Sequence, residues 1–472
     1  MSIKILGKES LIYGTGHVLA RLITFLLLPI YTHVFTPEEY GIISLVYAFM
    51  GFALMFYRYG MDTALMKYSV QLNDNDKTAH ISSIYILQLF SSIIFSGILY
   101  LVRDYVSEPI LGIAKPEWVV ILSGILILDN LWNHHVLLLR AENKPVFYIL
   151  FNLTNVILTM IFNIIFVIKW ELGIEGVLLA NLMVSGIIFI LSLPIIIKRI
   201  QLYQIKSNVM KDIVRFGLPF LPAGIFTMIM ELSNRYILDW LEGTYAVGLF
   251  SAGYKLGIFG LIVVMGFNMG WTPYFLKRIK EKEAGREFSY IASLFLGVLG
   301  FVVIIVSLWI PEIMRLKIGS SYLIGENFWA AEKIVAIVLV GYFFFGTYVI
   351  QLPGVYAKEI TNWIPVFRAI GAFTNIALNI ILIPEYGVIG SAWATVVAFL
   401  FMSLSVFIKL YNKYYIKYNW AALCYPVLFM VIISYPIHSL PSRLLIVICY
   451  VFGWYFLAIN NNERAIIKRL FN

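Results

Sequence analysis

Apolar runs of about 20 residues recur from one end of the chain to the other, divided by short stretches rich in charge, Pro, Gly or Asn. A helix of that length crosses the roughly 30 Å hydrocarbon layer of a bilayer. Cutting the chain at these breaks predicts fourteen spans, near 10–35, 40–60, 80–102, 117–139, 146–168, 174–197, 212–238, 245–272, 288–310, 331–356, 362–383, 388–409, 420–438 and 442–460. The length of 472 residues would otherwise suggest about three soluble domains. Composition excludes that reading, since 61% of residues are hydrophobic, 13% are charged and the mean hydropathy is +0.86. The expected fold is all-α and polytopic. The first run, Ser10 to Phe35, is too long for a signal-peptide core and lacks a small-residue cleavage site, so it is expected to stay as a span.

Charge orients the spans. The net charge of +9 would suit nucleic acid, but the bases fall where membrane topology places them. Of 35 Lys and Arg, 24 lie in the termini and even-numbered hydrophilic segments and only 6 on the opposite side. That bias puts both termini in the cytoplasm and implies no nucleic-acid partner. No loop is long; those near 103–116 and 311–330 have room for a short interfacial helix but not a catalytic domain, and no Walker-type phosphate loop occurs. An enzyme is therefore not expected. Cys424 and Cys449 fall in predicted spans and indicate neither a disulfide nor a metal framework.

The two halves resemble each other. FNIIFVIKWELGIEGVLLAN (162–181) parallels LNIILIPEYGVIGSAWAT (378–395), each with an Asn, a turn and then Gly-x-x-Gly. YRYGMDTALMK (57–67) parallels FNMGWTPYFLK (267–277). Offsets of about 210 residues make each unit six spans long, and an even number relates the units by an axis along the membrane normal. The expected organisation is a six-helix lobe over 1–206, a second over 207–414 and a terminal helix pair over 415–472.

Four segments carry a family resemblance: FTPEEYGIISL (35–45), LRAENKP (139–145), NRYILDWLEGTYAVGLFSAGYKLG (234–257) and TNIALNIILIPEYGVIGSAWAT (374–395). Over nearly its whole length the chain resembles the Wzx-type oligosaccharide flippases of the polysaccharide biosynthesis family. That superfamily also contains the multidrug and toxin extrusion (MATE) transporters and the lipid II flippases. The resemblance implies two MATE-like lobes that alternate access and move an undecaprenyl-diphosphate-linked oligosaccharide from the cytoplasmic to the outer leaflet of a bacterial inner membrane. The product would feed O-antigen, capsule or exopolysaccharide synthesis. It further implies a coupling ion, H+ or Na+, no other cofactor, and a polysaccharide polymerase and chain-length regulator as partners. Members often carry Asp-Arg where this chain has Asn234-Arg235, which leaves Glu231 as the nearby acid. A cation-coupled drug exporter and a lipid II flippase are the alternatives within the superfamily, and a membrane-embedded polymerase or ligase is the alternative outside it.

Ionisable groups at bilayer depth cost at least ~2.5 kcal/mol on insertion scales, so those retained are expected to face a wet cavity or the bundle interior. Arg21 and Lys255 sit roughly 15 Å into their spans and are candidates to bind the diphosphate. Arg235 and Arg368 lie nearer span ends and join them as candidates for the same cavity, although Arg368 is near enough to an end to snorkel. Glu231 is one turn from Arg235 and is expected to hold it until a phosphate arrives. Along LDNLWNHHVLL (128–138), Asp129 with Asn133 and Asn130 with His134 form adjacent polar stripes, making Asp129 and His134 candidates for ion coupling. His134 and His135 point to different faces, which argues against a metal site. Arg58 and Asp62 close the second span at the inner mouth.

Overall fold

A computed structural model describes residues 25–464, apart from 73, 282, 413–415 and 435–438. Most of the expected first span, Arg21 included, lies outside the described residues. The rest is almost wholly helical, as a chain in lipid must be when water cannot satisfy its backbone. Ten described helices are long and apolar enough to cross a membrane, or eleven if Ser207–Phe220 and Gly224–Glu242 count as one bent span. Fourteen spans were expected; the difference has local causes. The spans expected at 362–383 and 388–409 are two helices run together over Ile364–Tyr411 and meeting at Gly387, whose φ of 53° no helix contains, so they count as one continuous stretch. The first expected span lies mostly outside the described residues, the one at 212–238 is bent, and the helix Trp420–Ile433 is short; the span expected at 245–272 divides at Gly257 but still counts once, through Ile258–Arg278.

Two compact units divide the chain, Met1–Gly248 and Leu249–Asn472. The first contains α1 (Leu27–Val34), α2 (Pro37–Arg58), α3 (Met61–Gln71), α4 (Asp74–Leu111), α5 (Pro116–Ala141), α6 (Pro145–Asn163), α7 (Gly173–Ile197), α8 (Ser207–Gly217) and α9 (Leu221–Glu242). α10 (Thr244–Leu256) carries the boundary within it. α5 packs between α4 and α7, with α2 against both α5 and α9. The seam is apolar: Val46, Met50 and Tyr57 of α2 meet Leu122, Ile125 and Leu126 of α5. α2 starts as its sequence dictates, with Pro37 at its first position and a reciprocal Thr36–Glu39 capping box.

The second unit holds α11 (Ile258–Arg278), α12 (Ala284–Met314), a two-stranded hairpin (β1 Lys317–Ile318, β2 Ser321–Tyr322), α13 (Glu332–Val349), α14 (Leu352–Ala357), α15 (Ile364–Tyr411), α16 (Trp420–Ile433) and α17 (Leu440–Gly453). The 311–330 connection holds this hairpin and then a short 3-10 helix, Glu326–Ala331. α13 packs mainly on α15, and the terminal pair docks on α12. Gly297 and Gly300 make that docking possible: a Cβ on Gly297 would lie 2.2 Å from the Trp454 ring, and one on Gly300 would lie 2.4 Å from the Tyr450 hydroxyl. That hydroxyl donates to the Gly297 carbonyl at 2.7 Å.

The paired Gly-x-x-Gly segments fold alike. Gly173 and Gly387 both take positive φ, 57° and 53°. Gly176 and Gly390 then sit so close to the carbonyls of Phe166 and Leu382 that a Cβ would approach to 3.1 and 2.4 Å. In each half one glycine reverses the chain and the next admits the returning helix.

Past the end of α5, Glu142 takes a two-pronged hydrogen bond from Arg199 at 2.5 and 2.6 Å and a third from Lys144 at 2.8 Å. Burial pushes its carboxyl up, but Arg199 and Lys144 outweigh that and hold it below the usual carboxylate range. The pairing therefore stabilises the fold above the ordinary carboxylate pKa and is lost as pH falls through the lower folded value. Glu142→Gln is expected to lower the unfolding midpoint in nanodiscs by about 2 °C at pH 7, and the difference from wild type should close as the pH falls through the lowered folded pKa.

Candidate functional site

The helical phase of α5 turns its two polar stripes toward different neighbours. One stripe reaches α4: the Asn130 amide donates to Gln88 Oε1 at 2.5 Å and Ser92 Oγ at 2.9 Å. The Tyr57 hydroxyl and Ser96 Oγ, 2.6 Å apart, extend this row. Gln88, Ser92 and Ser96 recur every fourth residue, so one face of an otherwise apolar helix is polar. All three are buried, as is Asn130. The other stripe reaches α7: Asp129 Oδ1 accepts from Ser185 Oγ at 2.6 Å and from the Trp132 indole at 2.8 Å. The lone carboxylate expected at 129 is thus doubly hydrogen-bonded.

His134 lies one turn beyond Asn130, only 2% exposed. Its Nδ1 is 2.8 Å from the Asn130 carbonyl, and its Nε2 is 3.4 Å from Asp62 Oδ1. Asp62 Oδ2 in turn lies 3.5 Å from an Arg58 Nη1. Residues expected separately at the inner mouth and in ion coupling are therefore one contiguous group. His135 points elsewhere, its Nδ1 2.7 Å from Ser192 Oγ and its ring between Tyr85 and Phe189.

Arg58 and Asp62 belong to different helices, joined by an elbow at Tyr59 (φ 28°) and Gly60 (φ 82°). The elbow is seated on Gly217, the last residue of α8: a Cβ on Gly60 would lie 1.9 Å from the Gly217 carbonyl oxygen. Immediately after Gly217 the chain takes a 3-10 turn over Leu218–Phe220, and the stretches Ser207–Phe220 and Gly224–Glu242 are bent by 44°. Pro219 and Pro222 lie at this bend, as their missing N–H groups require. At its other end α2 makes a second close approach, where a Cβ on Gly41 would lie 1.9 Å from the Thr244 carbonyl and one on Gly248 would lie 1.8 Å from that of Pro37.

Arg235 is half-buried on α9, its Nε donating to Ser44 Oγ at 3.0 Å and its Nη1 to the Glu231 carbonyl at 2.9 Å. The Glu231 side chain is exposed. Lys255 stands in the last turn of α10, where a cation faces the negative end of the helix dipole. Gly253 and Gly257 bring the other side of that helix onto α13, since Cβ atoms there would meet Ile334 at 2.8 Å and Val338 at 2.7 Å. Lys255, about 200° round from each glycine, projects away from α13. Arg368 is half-buried on α15 and hydrogen-bonds Tyr348 of α13. The structure joins Arg58, Asp62 and His134 in one group, sets Asp129 apart on the α7 side, and leaves Lys255 and Arg368 in the second unit. The sequence reading missed Gln88, Ser92 and Ser96, although their four-residue spacing was the available signal.

This architecture recurs across solved transporters. A lipid II flippase MurJ in an inward-closed conformation matches with a TM-score of 0.75 and 15% identity, covering 98% of this chain and 100% of that one. An inward-facing multidrug resistance MATE family transporter of the MOP superfamily matches at 0.65 and 14%, over 84% and 98%. Among curated proteins, the Lsg locus putative protein 1 of Haemophilus influenzae is 21% identical over 352 residues, 72% of this chain and 84% of that one. The multidrug export protein MepA of Staphylococcus aureus is 25% identical over 209 residues, 42% of this chain; the chain spans only 44% of MepA's length. The molecule is a multi-pass membrane protein that shares the fold of these MurJ and MATE structures. Residues 6–279 match the family described as polysaccharide biosynthesis protein, and the chain belongs to that family.

Gly60→Val is expected to cost more than about 2 kcal/mol through forbidden φ and the clash with Gly217. Gly97→Ala, with open space around it, should be neutral or stabilising. Thermal unfolding of both variants in nanodiscs measures the difference.

Proposed function

We propose that the protein moves a polyprenyl-diphosphate-linked oligosaccharide from the cytoplasmic to the outer leaflet by alternating access. The observation that carries this reading is the set of basic residues placed in the long apolar stretches of the sequence, Arg235, Lys255 and Arg368, in a member of a polysaccharide biosynthesis family. Bases kept in such stretches, at a cost of several kcal/mol in a bilayer, suit a substrate whose head group is a diphosphate. Arg offers it two-pronged hydrogen bonds and Lys a point charge. Arg21, by its sequence position, belongs to the same set. The sugars need a wet cavity rich in hydroxyl, amide and aromatic groups, while the polyprenyl tail stays in the bilayer. The 44° bend beside Gly217 and the glycine contacts at both ends of α2 supply places where helices part or close backbone to backbone.

The test is transfer of a defined lipid-linked oligosaccharide in proteoliposomes. Arg21→Ala, Arg235→Ala and Lys255→Ala should each slow transfer tenfold or more while eluting as folded protein. Wild-type rates in all three would overturn the assignment. Efflux of a cationic dye with no lipid transfer by the wild type would favour drug export, the activity named for MepA.

A further inference from the structure

We propose that Asp62 and His134 share one proton and that this proton is the coupling ion. The inference deepens the transport reading given above and rests on it. A backbone carbonyl only accepts, so the 2.8 Å contact with the Asn130 oxygen makes His134 Nδ1 the donor and fixes the ring's tautomer. In the neutral ring Nε2 then presents a lone pair. It faces another lone pair, on Asp62 Oδ1, at 3.4 Å. Both atoms are buried and neither has a hydrogen-bond partner. Two acceptors sealed together repel; a proton placed between them turns the repulsion into a charge-assisted hydrogen bond. The geometry is that of a proton site.

The surroundings set how it is read out. Arg58 on α2 holds the other carboxylate oxygen at 3.5 Å, and its buried Nε is also without a partner. Arg58 and Asp62 are the charged groups that act on His134. On α5 itself Asp129 is engaged by Ser185 and Trp132, and His135 by Ser192 of α7. α4 presents the neutral Gln88 and Ser92 to Asn130, and its His80 ring packs at a tilt against Tyr68, centroids 4.4 Å apart. Of the charged residues on α8, Asp212 lies beside Tyr68. Asp62 opens α3 directly after the Tyr59–Gly60 elbow, which rests on Gly217. With the proton bound, α3 is tied to α5. When the proton leaves, Asp62 retains Arg58 alone, and the elbow is released against the bent α8–α9 segment.

The readout is proton binding by the purified full-length protein in nanodiscs, followed by infrared difference spectroscopy across a pH series with buffer alone. The wild type should show an imidazole transition that His134→Asn removes. Asp62→Asn, which withdraws the negative partner, should move that transition down by about one pH unit or more. An Asp62→Asn transition at the wild-type pH, or a His134→Asn spectrum identical to wild type, overturns the proposal. If His134→Asn does not fold, the Asp62→Asn shift alone decides. In proteoliposomes both variants should lose stimulation of lipid transfer by a proton gradient; stimulation equal to wild type also overturns it. A spectroscopic proton site in a protein that moves no lipid-linked sugar would leave the site standing and remove the transport reading instead.

Discussion

In hydrocarbon a polar atom without a partner has no water to fall back on, and the arrangement of α5 follows from that constraint. Its 3.6-residue repeat places Asn130 and His134 on one side and Asp129 on another, and each side must be met by donors and acceptors on a neighbouring helix. Gln88 and Ser92 meet the first, Ser185 the second. These bonds fix the register of α4, α5 and α7 more narrowly than apolar contact alone, because a slip of one residue would bury several unpaired groups at once. Between Asp62 and His134 two unpartnered buried acceptors face each other, which marks that place among the polar contacts of α5.

Glycines supply the complementary freedom. α2 is held at one end by Gly41 against the 244–248 turn and at the other by Gly60 against Gly217. Backbone meets backbone at both points, although beside Gly217 the Met61 side chain also packs in. Small residues serve helix contacts in membranes in this way because lipid provides little hydrophobic drive for association. The charge group at Arg58, Asp62 and His134 lies beside one of these contacts, which brings a chemical event and a mechanical joint within one helical turn.

Much of this could be read from residues alone. Apolar run length gave the helical class, and Gly173-x-x-Gly176 with Gly387-x-x-Gly390 predicted a repeated turn whose two copies do take the same backbone form. Pro219 and Pro222, which lack a backbone N–H, lie at the bend. The break between the spans expected at 362–383 and 388–409 falls at Gly387, whereas the break at Gly257, inside an apolar stretch of uniform composition, was not visible to hydropathy. The candidate residues were visible as types, but their grouping was not. Asp62 and His134 are 72 positions apart in sequence, and only the packing of α3 on α5 joins them. Asp129 looked solitary because Ser185, an ordinary residue of another span, gives no sign of its target.

The central claim is that the bases placed in the long apolar stretches face a hydrated path that an anionic head group can enter. Its most direct measurement is thiol labelling at position 255 in membranes, using Lys255→Cys with the two native exposed cysteines, Cys424 and Cys449, changed to Ser. The account predicts that a charged, membrane-impermeant reagent modifies this cysteine, and that a lipid-linked oligosaccharide protects it. A cysteine there that only a hydrophobic reagent reaches, with or without the lipid-linked sugar, would contradict it.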